Sequence, residues 1–269
     1  MSSGRSKSPS PPETSARRGA TFVAWRARCG QTTGVRLAFV VAALITAVAA
    51  PVRAEDAVQP LVRKVIAAYG GRAALERARV VREEGTVTSL MHEGVGRIAR
   101  LFQRPASLRV EVAYPGEAPE VRVTHEGRGD RDGVDVTGTP AHAAMVLQAA
   151  RLALPLSLIA GGASVVDRGS VHRGGKRLRA LALALPGDME IVAEIDPSTA
   201  RILRSSGSMP VPGGRIEFAS EYSEFQVVSG VLFARREENY ARGQHTGATV
   251  LTRIELLAAA PAGTFGERL

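Results

Sequence analysis

Cysteine and tryptophan are almost missing from this 269-residue chain: there is one of each, Cys29 and Trp25, and both precede an apolar run at 37–50. That run, L-A-F-V-V-A-A-L-I-T-A-V-A-A, follows Arg36 and is followed by Val52-Arg53-Ala54, a small-x-small step. The order is that of a secretory signal peptide with cleavage after Ala54, and the run is shorter than the ~20 residues a membrane span needs. Residues 1–33 are rich in Ser, Pro, Gly and Arg and have no apolar period. They make a long leader, and a start near Val35 would shorten it. Arg17-Arg18 lies too far from the apolar run to act as a twin-arginine signal.

Once the leader is set aside, residues 55–269 contain no cysteine and no tryptophan. This excludes disulfides, thiolate metal sites, a cysteine nucleophile and an acylated N-terminal cysteine, which would have to follow the apolar run. An excess of positive charge is lacking as well. The whole chain has a formal charge of +9, but 55–269 holds 27 Lys and Arg against 25 Asp and Glu, a net +2. No basic block with interleaved aromatics remains, so nucleic acid is not an expected partner. The expected product is a soluble periplasmic protein without a lipid anchor.

What is present is mostly strand. After an amphipathic helix at 55–71, with Val58, Leu61, Val62, Val65, Ile66 and Tyr69 at helical spacing and Gly70-Gly71 at its end, a short helical turn at 73–78 is expected. Runs bounded by Gly, Pro or Asp then predict strands at 79–90, 95–103, 107–114, 119–126, 133–137, 163–172, 176–186, 188–196, 200–208, 214–225, 230–240 and 246–257. Leu108, Val110, Val112 and Tyr114 share one face, as do Ile191, Ala193 and Ile195. Alternation of this kind belongs to antiparallel strands wet on one side. No repeat of about 20–50 residues and no internal linker divides 55–269, which reads as a single domain.

The long apolar stretch at 141–162 is the exception among the strands. Its alanines and leucines lack period-2 alternation, and only Gln148 and Arg151, three apart, form a polar seam on the helix they predict. Such a helix needs cover on more than one side. Pro155 predicts a break, with 156–160 as a second short helix. Two readings stay open: a core helix packed on a sheet, or a movable lid over an apolar cavity. Together these elements predict an α+β fold, a strongly curved antiparallel sheet or incomplete β-barrel of about 11–12 strands, with the N-terminal and central helices over its concave face.

Catalytic patterns are lacking. The histidines at 92, 125, 142, 172 and 245 are scattered and form neither H-x-H nor H-E-x-x-H. Asp130-Arg131-Asp132-Gly133 lacks the further ligands of a calcium loop and reads as a hairpin turn. Arg128-Gly129-Asp130 is a chance tripeptide in that turn, and Asp196-Pro197 begins a type I turn. Gly70-Gly71 and Gly174-Gly175 lack phosphate-loop spacing, and no G-x-S-x-G occurs. Neither a metal nor a cofactor is expected, and the chain is not expected to be an enzyme.

The order of short motifs resembles the LolA/LolB superfamily of outer-membrane lipoprotein carriers. It runs from the helix ending Tyr69-Gly70-Gly71 to Leu101-Phe102-Gln103-Arg104-Pro105-Ala106-Ser107-Leu108-Arg109-Val110-Glu111. After a helical stretch come Glu194-Ile195-Asp196-Pro197-Ser198-Thr199-Ala200-Arg201-Ile202, Tyr222-Ser223-Glu224-Phe225 and Val228-Ser229-Gly230-Val231. The resemblance implies a half-barrel with an apolar concave face under helices acting as a lid, which carries acyl chains across the periplasm between membrane-bound donor and acceptor proteins. It implies that Arg104 of the R-P step locks the lid and that Leu108 faces the cavity. Val110, Val112, Ile191 and Ile195 on the strands, with Met145, Leu152 and Leu156 on the helical stretch, complete the expected lining. The family's tryptophan after the fourth strand has no counterpart in Gly129-Asp130-Arg131-Asp132-Gly133, so an aliphatic cavity suited to a flexible lipid is expected. The alternative is a periplasmic interaction or sensor module of the same fold without a transport role.

Overall fold

The apolar spacing at the front of the domain forms α1 (Glu55–Ala68), with Val58, Val62, Val65 and Ile66 buried. Two glycines end it, and at Gly70 no other residue fits: φ is +103°, and a Cβ would stand 1.9 Å from the Gly230 carbonyl oxygen. Tyr69 anchors this end by accepting a hydrogen bond from the Ile202 amide at 3.2 Å, and burial pushes its phenol above the usual value. The short α2 (Arg72–Arg77) follows. The computed structural model describes residues 55–266; the leader and the cleavage point expected after Ala54 lie outside the described residues.

Two antiparallel meanders then build one sheet. The first comprises β1 (Val80–Ser89), β2 (His92–Gln103), β3 (Ser107–Ala113), β4 (Glu120–His125), β5 (Arg128–Arg131) and β6 (Val134–Asp135). The second comprises β7 (Val165–Arg173), β8 (Lys176–Leu185), β9 (Met189–Ile195), β10 (Ile202–Val211), β11 (Gly214–Val228), β12 (Val231–Ala241) and β13 (Gln244–Leu257). Pairing of β1 with β13, from Val80 against Leu257 onward, joins them in the order β6-β5-β4-β3-β2-β1-β13-β12-β11-β10-β9-β8-β7. The sheet does not close, because β6 and β7 are its two edges. The expected α+β class and unclosed antiparallel sheet are what the chain forms.

The strand number needs correction, from about 11–12 to 13. The additional strand is β5, Arg-Gly-Asp-Arg, which has no apolar alternation to reveal it and reads as part of a turn. The true turn is only Asp132-Gly133, both at positive φ, between β5 and a two-residue β6. Asp132 serves it by accepting the Val121 amide at 2.7 Å, and Asp130 by accepting that of Gly133 at 2.9 Å.

Between the meanders the chain crosses the sheet as α3 (Pro140–Leu152) and α4 (Leu156–Gly161). Thr139 caps α3 by accepting the His142 amide at 3.3 Å, and Pro140 occupies the first turn, where no amide donor is needed. The break around Pro155 lies where the sequence places it. Of Ala141–Leu152 no residue is exposed, so α3 is covered on several sides. It contacts β3, β4 and β5 on one flank and β9 and β10 on the other.

Each flank has a glycine in the sheet where the helix comes close. A Cβ on Gly207 of β10 would lie 3.0 Å from Leu147, and one on Gly129 of β5 would lie 2.4 Å from the His142 ring. The helix therefore rests on two places where the sheet has no side chain. Leu147 and Leu158 join the apolar cluster of Leu181, Leu183, Ile191 and Ile195, while Ala149 and Ala153 join Ile98, Phe102, Leu108 and Val110. Burial of each large apolar side chain contributes about 1.5–3 kcal/mol.

Candidate ligand-binding trough

Between its two seats α3 spans open space. A cavity of about 480 Å³ lies under it, within the size range of small-molecule pockets. Its roof is the α3 face carrying Ala144, Met145, Gln148, Arg151 and Leu152, so the polar seam points inward instead of toward solvent. Its floor comes from β1, β2, β11, β12 and β13, with Val112 of β3 and Arg122 of β4 on one side. His92 and Tyr114 border it, their rings stacked 4.2 Å apart, and His92 Nδ1 is 2.9 Å from a Glu117 carboxylate oxygen. A second cavity, of about 90 Å³, lies toward the end of α3 among Leu154, Pro155, Ile202, Phe225, Val231 and Phe233. Arg151, Leu152, Tyr222 and Glu237 border both cavities.

Beside aliphatic residues such as Val87, Ile98 and Val112, the floor carries a buried charged group that the expected lining does not include. Strand register brings Glu83 of β1 opposite Arg100 of β2, and the Arg100 side chain reaches Glu237 of β12. Arg100 donates through Nη1 and Nη2 to the two Glu237 oxygens at 2.9 and 2.7 Å. Its Nε lies 2.8 Å from Glu83 Oε2, an ion contact in which the N–H is not aimed at the oxygen. Burial opposes the charge on Arg100, but Glu237 and Glu83 more than offset it and hold the guanidinium above its ordinary value. Burial raises the Glu83 carboxyl, against the pull of Arg100. A chain of donors runs beside this group: Arg151 Nη1 to Ser220 Oγ at 3.2 Å, Ser220 to Asn239 Oδ1 at 2.8 Å, and Asn239 Nδ2 to Thr249 Oγ1 at 3.3 Å. Tyr222 and Ser205 share a hydrogen bond of 2.6 Å, and burial raises the Tyr222 phenol.

At the end of α3, Arg104 bridges two helices. Its Nε donates to the carbonyl of Ala78, which follows α2, at 3.1 Å, and its Nη1 to that of Ala153, which follows α3, at 2.9 Å. The carbonyls at a helix C-terminus lack intrahelical partners, so a cation is well placed there. Burial lowers the Arg104 guanidinium to about 10, still ionised at neutral pH. Its guanidinium carbon is 5.7 Å from the centre of the Phe102 ring.

The residues expected to line a cavity divide into two sets. Val112 and Met145 border the large cavity, and Leu152 borders both. Leu108, Val110, Ile191 and Ile195 are at most 1 % exposed and belong to the packed flanks, and half-buried Leu156 packs against the larger apolar cluster. Sequence reasoning missed Glu83, Arg100, Arg122, Tyr222 and Glu237. Alternation did carry a signal for Arg100, which shares parity with Ile98 and Phe102 and so had to face inward. Among the described residues no group of His, Cys, Asp or Glu is arranged to hold a metal. Nor is any helix among them long and apolar enough to cross a membrane.

No protein-family model matches the sequence, and no curated protein matches it. Three solved structures are similar to the chain at the level of fold. A LolA superfamily protein from Nitrosomonas europaea is 12% identical, with a TM-score of 0.45 over 72% of this chain and 96% of that one. A domain provisionally assigned to outer membrane lipoprotein sorting, from Vibrio parahaemolyticus, is 8% identical, with a TM-score of 0.44 over 79% of this chain and 97% of that one. A DUF1329 family protein from Desulfovibrio piger is also 8% identical, with a TM-score of 0.45 over 78% and 97%. These likenesses are distant, and what the trough can do follows from its own geometry.

Proposed function

We propose that this protein is a carrier that shelters the acyl chain of a lipid or lipoprotein beneath α3. The observation that carries this reading is a helix seated along its flanks, over unfilled space, and tied at one end by the Arg104 guanidinium. Hydrogen bonds to charged groups contribute about 1.5–3 kcal/mol each, and of the two Arg104 bonds only that to Ala153 reaches α3, so such contacts hold the closed form by about the worth of one bond. Burying hydrocarbon returns about 0.8 kcal/mol per methylene, so a chain of about ten methylenes more than offsets their exchange. Arg104 is then a latch. Release lets the end of α3 rise and joins the small cavity among Phe225 and Phe233 to the large one, past Leu152. The chemistry assigned to the protein is binding, without catalysis.

The reading includes export to the periplasm, with removal of 1–54 leaving 55–269 as one LolA-like domain. N-terminal sequencing of the exported protein checks it, and a start other than Glu55 revises the boundary. For the function itself, the protein is purified after export with its leader intact, extracted with solvent and analysed by mass spectrometry. Co-purifying acyl species at near-stoichiometric amounts are expected. Protein empty both as purified and after incubation with lipid would replace the carrier with the interaction module. Arg104→Leu is expected to keep the fold and release a fluorescent fatty-acid analogue about tenfold faster, the equivalent of one such bond; an unchanged release rate removes the latch.

A further inference from the structure

The charges around the large cavity do not balance. Arg100, Arg122, Arg131 and Arg151 border it against Glu120 and Glu237. Arg100 is paired with Glu237 and Glu83, although its Nε faces Glu83 Oε2 without an aligned hydrogen bond. Arg122 and Arg131 share Glu120, at 3.6 and 3.0 Å, and Arg131 has a further, longer contact of 3.9 Å with Asp132. Arg151 has no carboxylate within 4.0 Å among the described residues; its one side-chain hydrogen bond goes to Ser220 Oγ. That hydroxyl has already given its own proton to Asn239.

Apart from the Arg100–Glu83 contact, the unmet demand around the large cavity lies on donors. The Nε atoms of Arg122 and Arg151 are both shut off from solvent and have no hydrogen-bond partner among the described residues. A buried guanidinium donor without an acceptor is costly, and proteins retain such groups mainly where something else supplies the acceptor. Burial also lowers the Arg122 guanidinium, against the pull of Glu120, and a further anion beside it would favour the ionised form. Gln148, one turn before Arg151 on the same seam, adds an amide to this side of the cavity. A planar guanidinium matches the oxygens of a carboxylate or a phosphate.

We propose that the large cavity holds an anionic head group, a carboxylate or a phosphate, with Arg151 as its principal partner and Arg122 as its second. The inference rests on the carrier reading and sharpens it: the cargo is an anionic amphiphile, with its head in the polar cavity and its chain running past Leu152 toward Phe225. Arg151 and Leu152, adjacent in sequence and bordering both cavities, are where head and chain would part.

The test uses the exported protein stripped of bound lipid and four probes: dodecanoate, dodecyl phosphate, dodecanol and inorganic phosphate. Binding is measured by calorimetry at neutral pH and low salt. The two anionic amphiphiles are expected to bind at least about tenfold more tightly than dodecanol, the contrast one charge-assisted contact provides. Arg151→Gln should reduce them to the dodecanol level while leaving dodecanol unchanged, Arg122→Gln should have the same effect in smaller measure, and Arg151→Lys should recover part of the preference. The ratio of dodecanoate to dodecyl phosphate binding tells which oxyanion the site fits. Equal binding of all three dodecyl probes, unaltered in Arg151→Gln, overturns the head-group site and leaves the carrier standing. Binding of inorganic phosphate as tight as that of dodecyl phosphate, lost in Arg151→Gln, keeps the anion site and overturns the carrier. Binding of no probe to the folded protein overturns both.

Discussion

The inner face of this sheet has two stretches that follow the same alternation and are built from opposite materials. Toward the β7 edge, strands β8, β9 and β10 present Leu181, Leu183, Ile191, Ala193, Ile195 and Met209 to α1, α3 and α4, and the space between is filled. At the middle, strands β1, β2, β12 and β13 present Arg100, Glu237, Asn239 and Thr249 to the large cavity and Glu83 to the small one. Where helix and sheet meet, inward positions are apolar and small enough to interlock. Where they part, inward positions are charged and bonded to one another across strands. The first stretch supplies the cohesion, as a close-packed interior does, and the second keeps a space from collapsing because its charged side chains are held mainly by one another across the strands. A half-open sheet thus holds its helix on the flanks and leaves the centre free.

Substitutions on the two stretches should differ in kind. Arg100→Met, at the centre, strands two buried carboxylates and is expected to cost about 3–5 kcal/mol in urea denaturation. A loss under about 1 kcal/mol would mean that water reaches the carboxylates and that the floor is not a closed network. On the packed flank, Leu181→Ala should cost about 2–5 kcal/mol by leaving a void between β8 and the helices, without altering ligand preference. A change in ligand release there would blur the division between the stretches.

Smaller effects sharpen the same contrast. Glu237 accepts two aligned hydrogen bonds from Arg100 and Glu83 none, so Glu237→Gln should destabilise more than Glu83→Gln. Burial raises Glu83 above the ordinary carboxylate value of 4.5, so the folded state binds a proton more tightly than the unfolded state does. This contribution to stability is complete below the unfolded value and is lost as pH rises through the folded one. The urea midpoint of the parent protein should therefore carry a downward component as pH rises from about 4.5, absent in Glu83→Gln. At the bottom of the scale, Gln148→Ala on the cavity side of α3 is expected to change stability by no more than about 0.5 kcal/mol. A larger loss would show that the seam is a structural contact.

Several features are legible in the sequence. The amphipathic front helix, the double glycine after it, most of the strands and the break at Pro155 all follow from local rules of period, turn chemistry and proline sterics. Arg104-Pro105 stood out through resemblance, while what Arg104 touches depends on the ends of α2 and α3 arriving on either side of it. The polar floor was harder to see, because Glu83, Arg100 and Glu237 come from strands far apart in sequence, and a charged residue on an apolar face looks like an irregularity until its partners are known. Strand β5 was hidden for another reason: four residues with no apolar member carry no periodic signal, and only pairing with β4 makes them a strand.

By itself the sequence determined the units: which segments are strands or helices, which face of most strands is apolar, and that α3 would need cover on more than one side. Those properties depend on near neighbours along the chain, through steric and hydrophobic periodicity. Only the tertiary structure decided that β1 pairs with β13, that two glycines seat α3 on the flanks, and that Gln148 and Arg151 turn inward over a floor of paired charges. Each of these is a meeting of residues distant in the chain, whose free energy exists only once the sheet has formed and water has left the groups it brings together.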